Sequence, residues 1–471
     1  MSRGGTAVKP SALSLADAAQ SVREGRISSV ELVEDCLRRV EEVDGKIQAW
    51  AFLDPDHARR QARAADEHRM AGRATGPLHG VPIGIKDIFD TSDYPTEFGS
   101  ALWSGRTPRY DAVAVARLRA AGAVILGKTV TTEYAYFHPG KTRNPHDPSR
   151  TPGGSSSGSA AAVAAGMVPA AIGSQTNGSV IRPASFCGVV GFKPTHGLIP
   201  RTGALLLSRA LDHVGVFARS VTDAALLADV LIGHDDEDPD TRPIASPQLA
   251  LTAAGEPPLP PRLAFVKGPA WKAAEPYLDE AFGELVAALG DVVQPVELGG
   301  SFDRAIEFQG TVMSVDMAHN FRRDLAQGGD ALSVQLKELL VRGSKQTALA
   351  YLEAISAAET YNRLLDDIFN EYDAILTASA PGEAPVGTAT GNPVFCSTWT
   401  YLGTPAVSLP LLQGPNGLPI GVQLIGRRGN DARLLRTARW LAGSLNARAG
   451  RKAPSSRHKV ASGAGGKRSR K

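Results

Sequence analysis

The chain has 471 residues, of which 43% are hydrophobic and 21% charged, with 51 basic against 48 acidic side chains and a net charge of +3. These are the proportions of an ordinary soluble globular protein long enough to bury a large core. The cysteines Cys36, Cys187 and Cys396 are far apart and odd in number, which argues against a disulfide framework or a zinc site and points to a cytoplasmic location.

The first residues, Met1–Gly5, are polar and glycine-rich with no apolar segment behind them, so no signal peptide is expected. No apolar run approaches the length of about 18 residues that a membrane span requires. Ser28-Ser29-Val30-Glu31 has the spacing of a capping box, and Leu32, Val33, Cys36, Leu37 and Val40 follow as an apolar stripe at helical spacing. Val113–Ala121 reads as a helix running into a strand at Ala123–Leu126. Asp235–Pro260 is acidic and then proline-rich, which predicts a surface loop or insertion. Leu263–Val266, Ala374–Leu376, Ala406–Leu409 and Val422–Ile425 read as strands, and the stretch 303–370 between them reads as helical.

The last segment carries Arg448, Arg451, Lys452, Arg457, Lys459, Lys467, Arg468, Arg470 and Lys471 and no acid. It lacks the aromatic side chains that stack on bases, so residues 447–471 are expected to be a solvated, disordered tail that binds neither nucleic acid nor membrane. No internal repeat and no linker precede it. The simplest account is a single α/β domain over residues 1–446.

The densest chemical signal is Thr151–Thr195. It opens Thr-Pro-Gly-Gly-Ser-Ser-Ser-Gly-Ser at 151–159 and continues Gly173-Ser174-Gln175-Thr176-Asn177-Gly178-Ser179-Val180-Ile181-Arg182-Pro183. Val163, Val168, Ile172, Val180, Ile181, Val189 and Val190 are interleaved, which is too apolar for a flexible linker. Loops of glycine and serine held in a core must satisfy their backbone groups, which is costly without a use.

This segment resembles the amidase signature, the Gly/Ser-rich block of a large family of amide hydrolases. Leu78-His79-Gly80-Val81-Pro82-Ile83-Gly84-Ile85-Lys86-Asp87 resembles the family segment that carries a catalytic lysine. Leu211–Gly215, Ala218–Ala225, Gly403–Pro410 and Leu418–Gly426 match further family blocks, in family order. The resemblance implies an amidase signature fold, a large mixed β-sheet covered by helices on both faces. It also implies a catalytic triad, with Ser179 as nucleophile, Lys86 as base, and Ser155 as bridge behind a cis peptide bond. The oxyanion hole is expected from Thr176, Asn177 and Gly178. These roles fit elementary chemistry. A serine hydroxyl needs a base, and lysine can be that base only when burial or a nearby positive charge keeps it neutral.

The sequence departs from the family pattern where Gln175 stands in place of a common aspartate and Asn177 in place of a common glycine. Arg182 lies three residues after the nucleophile, as in a malonamidase-like, stand-alone branch. A guanidinium there would bind an acidic acyl group or form a structural ion pair with an acid such as Asp212 or Asp223. Tyr134, Tyr136, Phe137 and Trp399 are candidates to line the acyl pocket, with Arg182, Tyr136 and Trp399 as the substrate-binding set.

Two other motifs compete. Gly122–Thr129 matches a P-loop by letters, but its interior is the strand-like Ala-Val-Ile-Leu. Gly154-Ser155-Ser156-Ser157-Gly158 matches the G-x-S-x-G elbow, yet Asp147–Pro152 before it cannot form the required strand. His196 and His213 are expected to be structural. The function expected is hydrolysis of a C–N acyl bond in a small-molecule amide or carbamate (urethane), an anilide or an ester, without cofactor or metal, by a chain that could pair as a homodimer. The alternative within the family is the glutaminase component, the A subunit, of a tRNA-dependent amidotransferase.

Overall fold

The computed structural model describes residues 9–452. Eleven strands form one mixed sheet: β1 (Trp50–Leu53), β2 (Pro82–Lys86), β3 (Val124–Thr129), β4 (Ala170–Gln175), β5 (Val190–Lys193), β6 (His213–Ala218), β7 (Leu263–Phe265), β8 (Val293–Pro295), β9 (Ala374–Ala378), β10 (Ala406–Gln413) and β11 (Pro419–Ile425). Their order is β1-β3-β2-β4-β6-β5-β10-β11-β9-β7-β8. β3, β2 and β4 run parallel, as do β9, β7 and β8, and the strands between them pair antiparallel. Every residue of β2, β3, β4, β5 and β6 is buried. Successive side chains in a strand point to opposite faces, so helices must cover both sides of this part of the sheet.

Local chemistry explains the elements. Ser28 caps the helix Ser29–Ile47 through a reciprocal box in which its own N–H donates to the Glu31 carboxylate at 2.7 Å. The stripe from Leu32 to Val40 faces the core. The helix Ser157–Ala164 is built of small residues so that it can lie on the sheet. A Cβ added at Gly158 would sit 2.3 Å from both the Ala49 oxygen and the Val130 nitrogen.

The P-loop lookalike Gly122–Thr129 is β3 and the turn before it. Lys128 is buried there, 3.0 Å from the Asp87 carboxylate. Asp235–Pro260 is only partly the surface loop its composition suggests. Asp238 is buried, and its carboxylate accepts from the Arg201 backbone N–H (2.8 Å) and guanidinium (2.6 Å). The same stretch contains the helix Leu249–Ala254. The C-terminal helix Asp431–Lys452 runs past residue 447, the start of the expected tail. The rest of that tail lies outside the described residues. Among the described residues no helix is long and apolar enough to cross a membrane, and no cluster of His, Cys, Asp and Glu has metal-ligand spacing.

The topology concentrates chain ends at one edge. Lys86 ends β2 and Gln175 ends the neighbouring parallel strand β4, while His213 begins the antiparallel β6 directly opposite Gln175. The carboxyl ends of adjacent parallel strands form the crevice where open α/β sheets bind ligands.

Candidate active site

Lys86 is fully buried at the end of β2. Its Nζ lies 2.7 Å from Ser155 Oγ and 2.8 Å from Ser174 Oγ. Burial holds its pKa well below the ordinary lysine range, and the charge of Asp212 works in the opposite direction. Lys128, on the neighbouring strand β3, differs in kind. It has a carboxylate in Asp87 as well as the Pro95 carbonyl (2.9 Å) and the Thr96 hydroxyl (2.6 Å) as partners. A lysine whose hydrogen-bond partners are hydroxyl groups can give and take a proton. Burial lowers the Lys128 pKa as well, but the adjacent Asp87 carboxylate opposes that shift and favours its charged form.

Ser155 follows a cis Gly154–Ser155 peptide bond and is almost wholly buried. A Cβ at Gly154 would come within 2.8 Å of Thr390 Cγ2 and 3.0 Å of Thr132 Cγ2, so a side chain there would force those threonines to shift. Ser156, the nucleophile of the elbow alternative, is fully buried. Its hydroxyl donates to the Ser174 carbonyl at 3.2 Å and accepts from the Ser174 N–H at 3.3 Å. That hydroxyl is engaged with backbone and does not face a cleft.

Ser179 lies between β4 and the helix Ile181–Cys187. The loop before it is held from several directions. The Gln175 side-chain oxygen accepts from the N–H groups of Val180 (2.8 Å) and Ile181 (3.0 Å), and its Nε2 donates to Thr400 Oγ1 at 2.9 Å. Gln175 thus offers the helix terminus the same acceptor that an aspartate would, without the charge. The Thr176 hydroxyl donates to Asp212 at 2.6 Å, and the Thr176 carbonyl accepts from Gln309 Nε2 at 3.1 Å. The Asn177 side chain accepts from Ser397 Oγ at 2.7 Å, and its carbonyl from Thr400 Oγ1 at 2.5 Å. None of the hydrogen bonds among the described residues uses the N–H of Asn177, Gly178 or Ser179. Three consecutive backbone donors beside a serine are thus left without a hydrogen-bond partner among the described residues.

Residues 31–435 match the amidase family. The chain belongs to the amidase family and is a hydrolase acting on C–N bonds. It is 34% identical to the A subunit of glutamyl-tRNA(Gln) amidotransferase from Chloroflexus aggregans, over 90% of this chain and 94% of that protein. The peptide amidase of Stenotrophomonas maltophilia superposes with a TM-score of 0.79 at 30% identity, covering 93% of this chain and 97% of the other. A structure described as a vestigial protein complex revealing the evolutionary origins of an s-triazine catabolic enzyme superposes with a TM-score of 0.85 at 30% identity, covering 93% and 99%.

In this amidase-family chain a narrow cleft joins Ser179 to Tyr136, Phe137, Arg182, Leu207 and Met313. Arg182 is buried but has no carboxylate partner. Its Nη1 donates to the Gly391 carbonyl at 2.9 Å and its Nη2 to the Gly154 carbonyl at 2.7 Å. Its Nε has no partner, and its guanidinium lies 5.7 Å from the Phe137 ring centroid. Burial lowers its pKa to about 10. The ion-pair alternative, Arg182 with Asp212 or Asp223, is therefore absent. Asp212 is taken by Thr176, and Asp223 accepts from the Ala16 N–H at 3.0 Å. Trp399 does not line the cleft. It is buried in the helix Val394–Tyr401, which presents Ser397 and Thr400 to the loop. Tyr134 is also buried away from it, with its hydroxyl accepting from Trp103 Nε1 at 2.7 Å.

Gln309, Met313, Leu207, Ser397, Thr400 and Ser174 are the site residues that sequence reasoning missed. Ser174 stands inside the signature block, where a second hydroxyl within reach of the lysine is a readable signal. Nothing in the helical pattern of 303–370 distinguishes Gln309 from a surface glutamine.

Proposed function

We propose that this chain is a stand-alone amidase that cleaves C–N acyl bonds through an acyl-enzyme on Ser179. The observation that carries the proposal is Lys86, fully buried and held by the Ser155 hydroxyl at 2.7 Å, with the free N–H groups beside Ser179 completing the chemistry. Ser179 Oγ attacks the acyl carbon while its proton passes to Ser155 Oγ and the Ser155 proton passes to the neutral Lys86 amine. The oxyanion is received by backbone N–H groups of the Thr176–Ser179 loop, with Asn177 and Gly178 central. Collapse expels the amine, which takes a proton back through Ser155. Water then repeats the sequence to free the acid.

Amides, anilides, carbamates and activated esters share this tetrahedral chemistry, so a panel of these compounds defines the range. The unpartnered Arg182 Nε, in a cleft wall with Tyr136, favours an acyl group bearing a carboxylate. The second reading is the glutaminase component of an amidotransferase, supported by the 34% identity to such a protein. Hydrolysis that requires added partner proteins would favour it. An active lone chain favours the amidase.

The deciding experiment is labelling with a fluorophosphonate probe and mapping the adduct. Modification at Ser179, abolished in Ser179→Ala with the fold intact, is the expected result. An adduct on Ser156 would overturn the proposal.

A further inference from the structure

Asp212 is a buried carboxylate for which the Ser179–Ser155–Lys86 sequence of proton transfers has no use. It immediately precedes β6 at the crowded edge of the sheet. One carboxylate oxygen accepts from the Thr176 hydroxyl at 2.6 Å. The other accepts from the N–H groups of Leu207 (2.8 Å) and Ser208 (3.1 Å). Thr176 opens the nucleophile loop and Leu207 lines the cleft, so a single side chain clasps two walls of the site.

The other charges around Asp212 are committed elsewhere. Arg201 approaches the Asp212 backbone carbonyl at 3.4 Å, but its guanidinium is held by Asp238 (2.6 Å) and Asp240 (2.5 Å). His213, next in sequence, is kept neutral by burial, with Nδ1 2.6 Å from the Leu211 carbonyl. Asp316, on the helix Ala305–Asn320, takes the Ser208 hydroxyl at 2.5 Å and the Tyr351 hydroxyl at 2.8 Å. Asp87, beside Lys86 in the chain, is paired with Lys128. Lys86 itself touches hydroxyl groups, and Asp212 is the carboxylate whose charge acts on it.

We propose that Asp212 is a positioning residue for amide cleavage, holding Thr176 and Leu207 around Ser179 and supplying the counter-charge to the ammonium that Lys86 becomes when it accepts the serine proton. The inference rests on the triad reading above. Its physical basis is charge balance. Burial raises the Asp212 pKa to about 6, so above that pH it is ionised and the pair goes from one negative charge to none as Lys86 is protonated. Without it, an isolated cation forms in a buried site, which is far less favourable.

Asp212→Asn separates the clasp from the charge. The amide oxygen can accept from Leu207 and Ser208 while its nitrogen donates to Thr176 Oγ1, so the hydrogen bonds survive and the charge does not. The readout needs no knowledge of the substrate: the second-order rate of fluorophosphonate labelling as a function of pH, with thermal unfolding alongside.

The expected result is a plateau labelling rate lower by about tenfold or more. The acid limb should move down by about one pH unit, because an ammonium without a nearby carboxylate gives up its proton more readily. The melting temperature should stay near wild type, and Asp212→Ala should lose both labelling rate and stability. An Asp212→Asn rate and limb equal to wild type would overturn the proposal. So would a loss of rate with an unshifted limb and a melting temperature as low as that of Asp212→Ala. Failure of the wild-type chain to label at Ser179 would instead refute the triad itself, so the two failures are distinguishable.

Discussion

Gln175→Met tests whether the nucleophile loop is held by the hydrogen bonds described above. Methionine is close to glutamine in length and volume, so the change opens little cavity and isolates the polar contribution. It removes the acceptor for two backbone N–H groups, those of Val180 and Ile181, at 2.8 and 3.0 Å in a fully buried position. Each unpaired buried donor costs roughly 1–3 kcal/mol, for a total of about 2–6 kcal/mol. Thr400 loses the Gln175 donor at 2.9 Å but keeps the Asn177 carbonyl, so it adds little. For a chain of 471 residues the unfolding entropy is about 1 kcal/mol per kelvin. The expected fall in melting temperature is then about 2–6 °C. Scanning calorimetry measures it, and fluorophosphonate labelling reports the loop, whose rate should drop because the free N–H groups lose their fixed direction. Gln175→Glu, which keeps an acceptor, should recover part of both. A melting temperature within about 1 °C of wild type together with undiminished labelling of Ser179 would refute the argument.

The pH dependence follows from the direction of the Lys86 shift. Burial lowers its pKa and the neutral amine is the active form, so activity should rise with pH through that lowered value and level off on its alkaline side. Lys86→Ala should lose most of it. A rate still climbing through about pH 10, where an ordinary lysine titrates, would show that Lys86 is not the base. Arg182→Met should cost acidic substrates about 2–4 kcal/mol of transition-state stabilisation beyond any loss seen with neutral amides. Because Arg182 also bonds the Gly154 carbonyl, neutral amides should slow somewhat. Equal losses for acidic and neutral members of a substrate panel would eliminate the carboxylate role.

The ordered blocks from Leu78 to Gly426 carry the family and the mixed α/β architecture, and they single out Lys86, Ser155 and Ser179 as candidates. These are legible because they depend on local requirements. Glycines must stand where backbones touch, as at Gly158, and apolar runs must stand where strands are covered on both faces. The same locality made the decoys readable, since Ala-Val-Ile-Leu in Gly122–Thr129 has the composition of a strand and forms one.

Tertiary structure alone decided what each polar side chain faces. Gln309 reaches Thr176 across 133 positions of chain, and Thr400 reaches Asn177 across 223. Arg182 was open to an ion pair with Asp212 or Asp223, yet its two Nη groups donate to the carbonyls of Gly154 and Gly391 and its Nε has no partner. Trp399 was a candidate for the pocket wall, but the helix that carries it turns Ser397 and Thr400 to the loop instead. The reason is physical. Apolar periodicity reports that a residue is buried, because burial is non-directional and depends on position along a helix or strand. A hydrogen bond is directional and short, so its partner is set only when distant segments have packed.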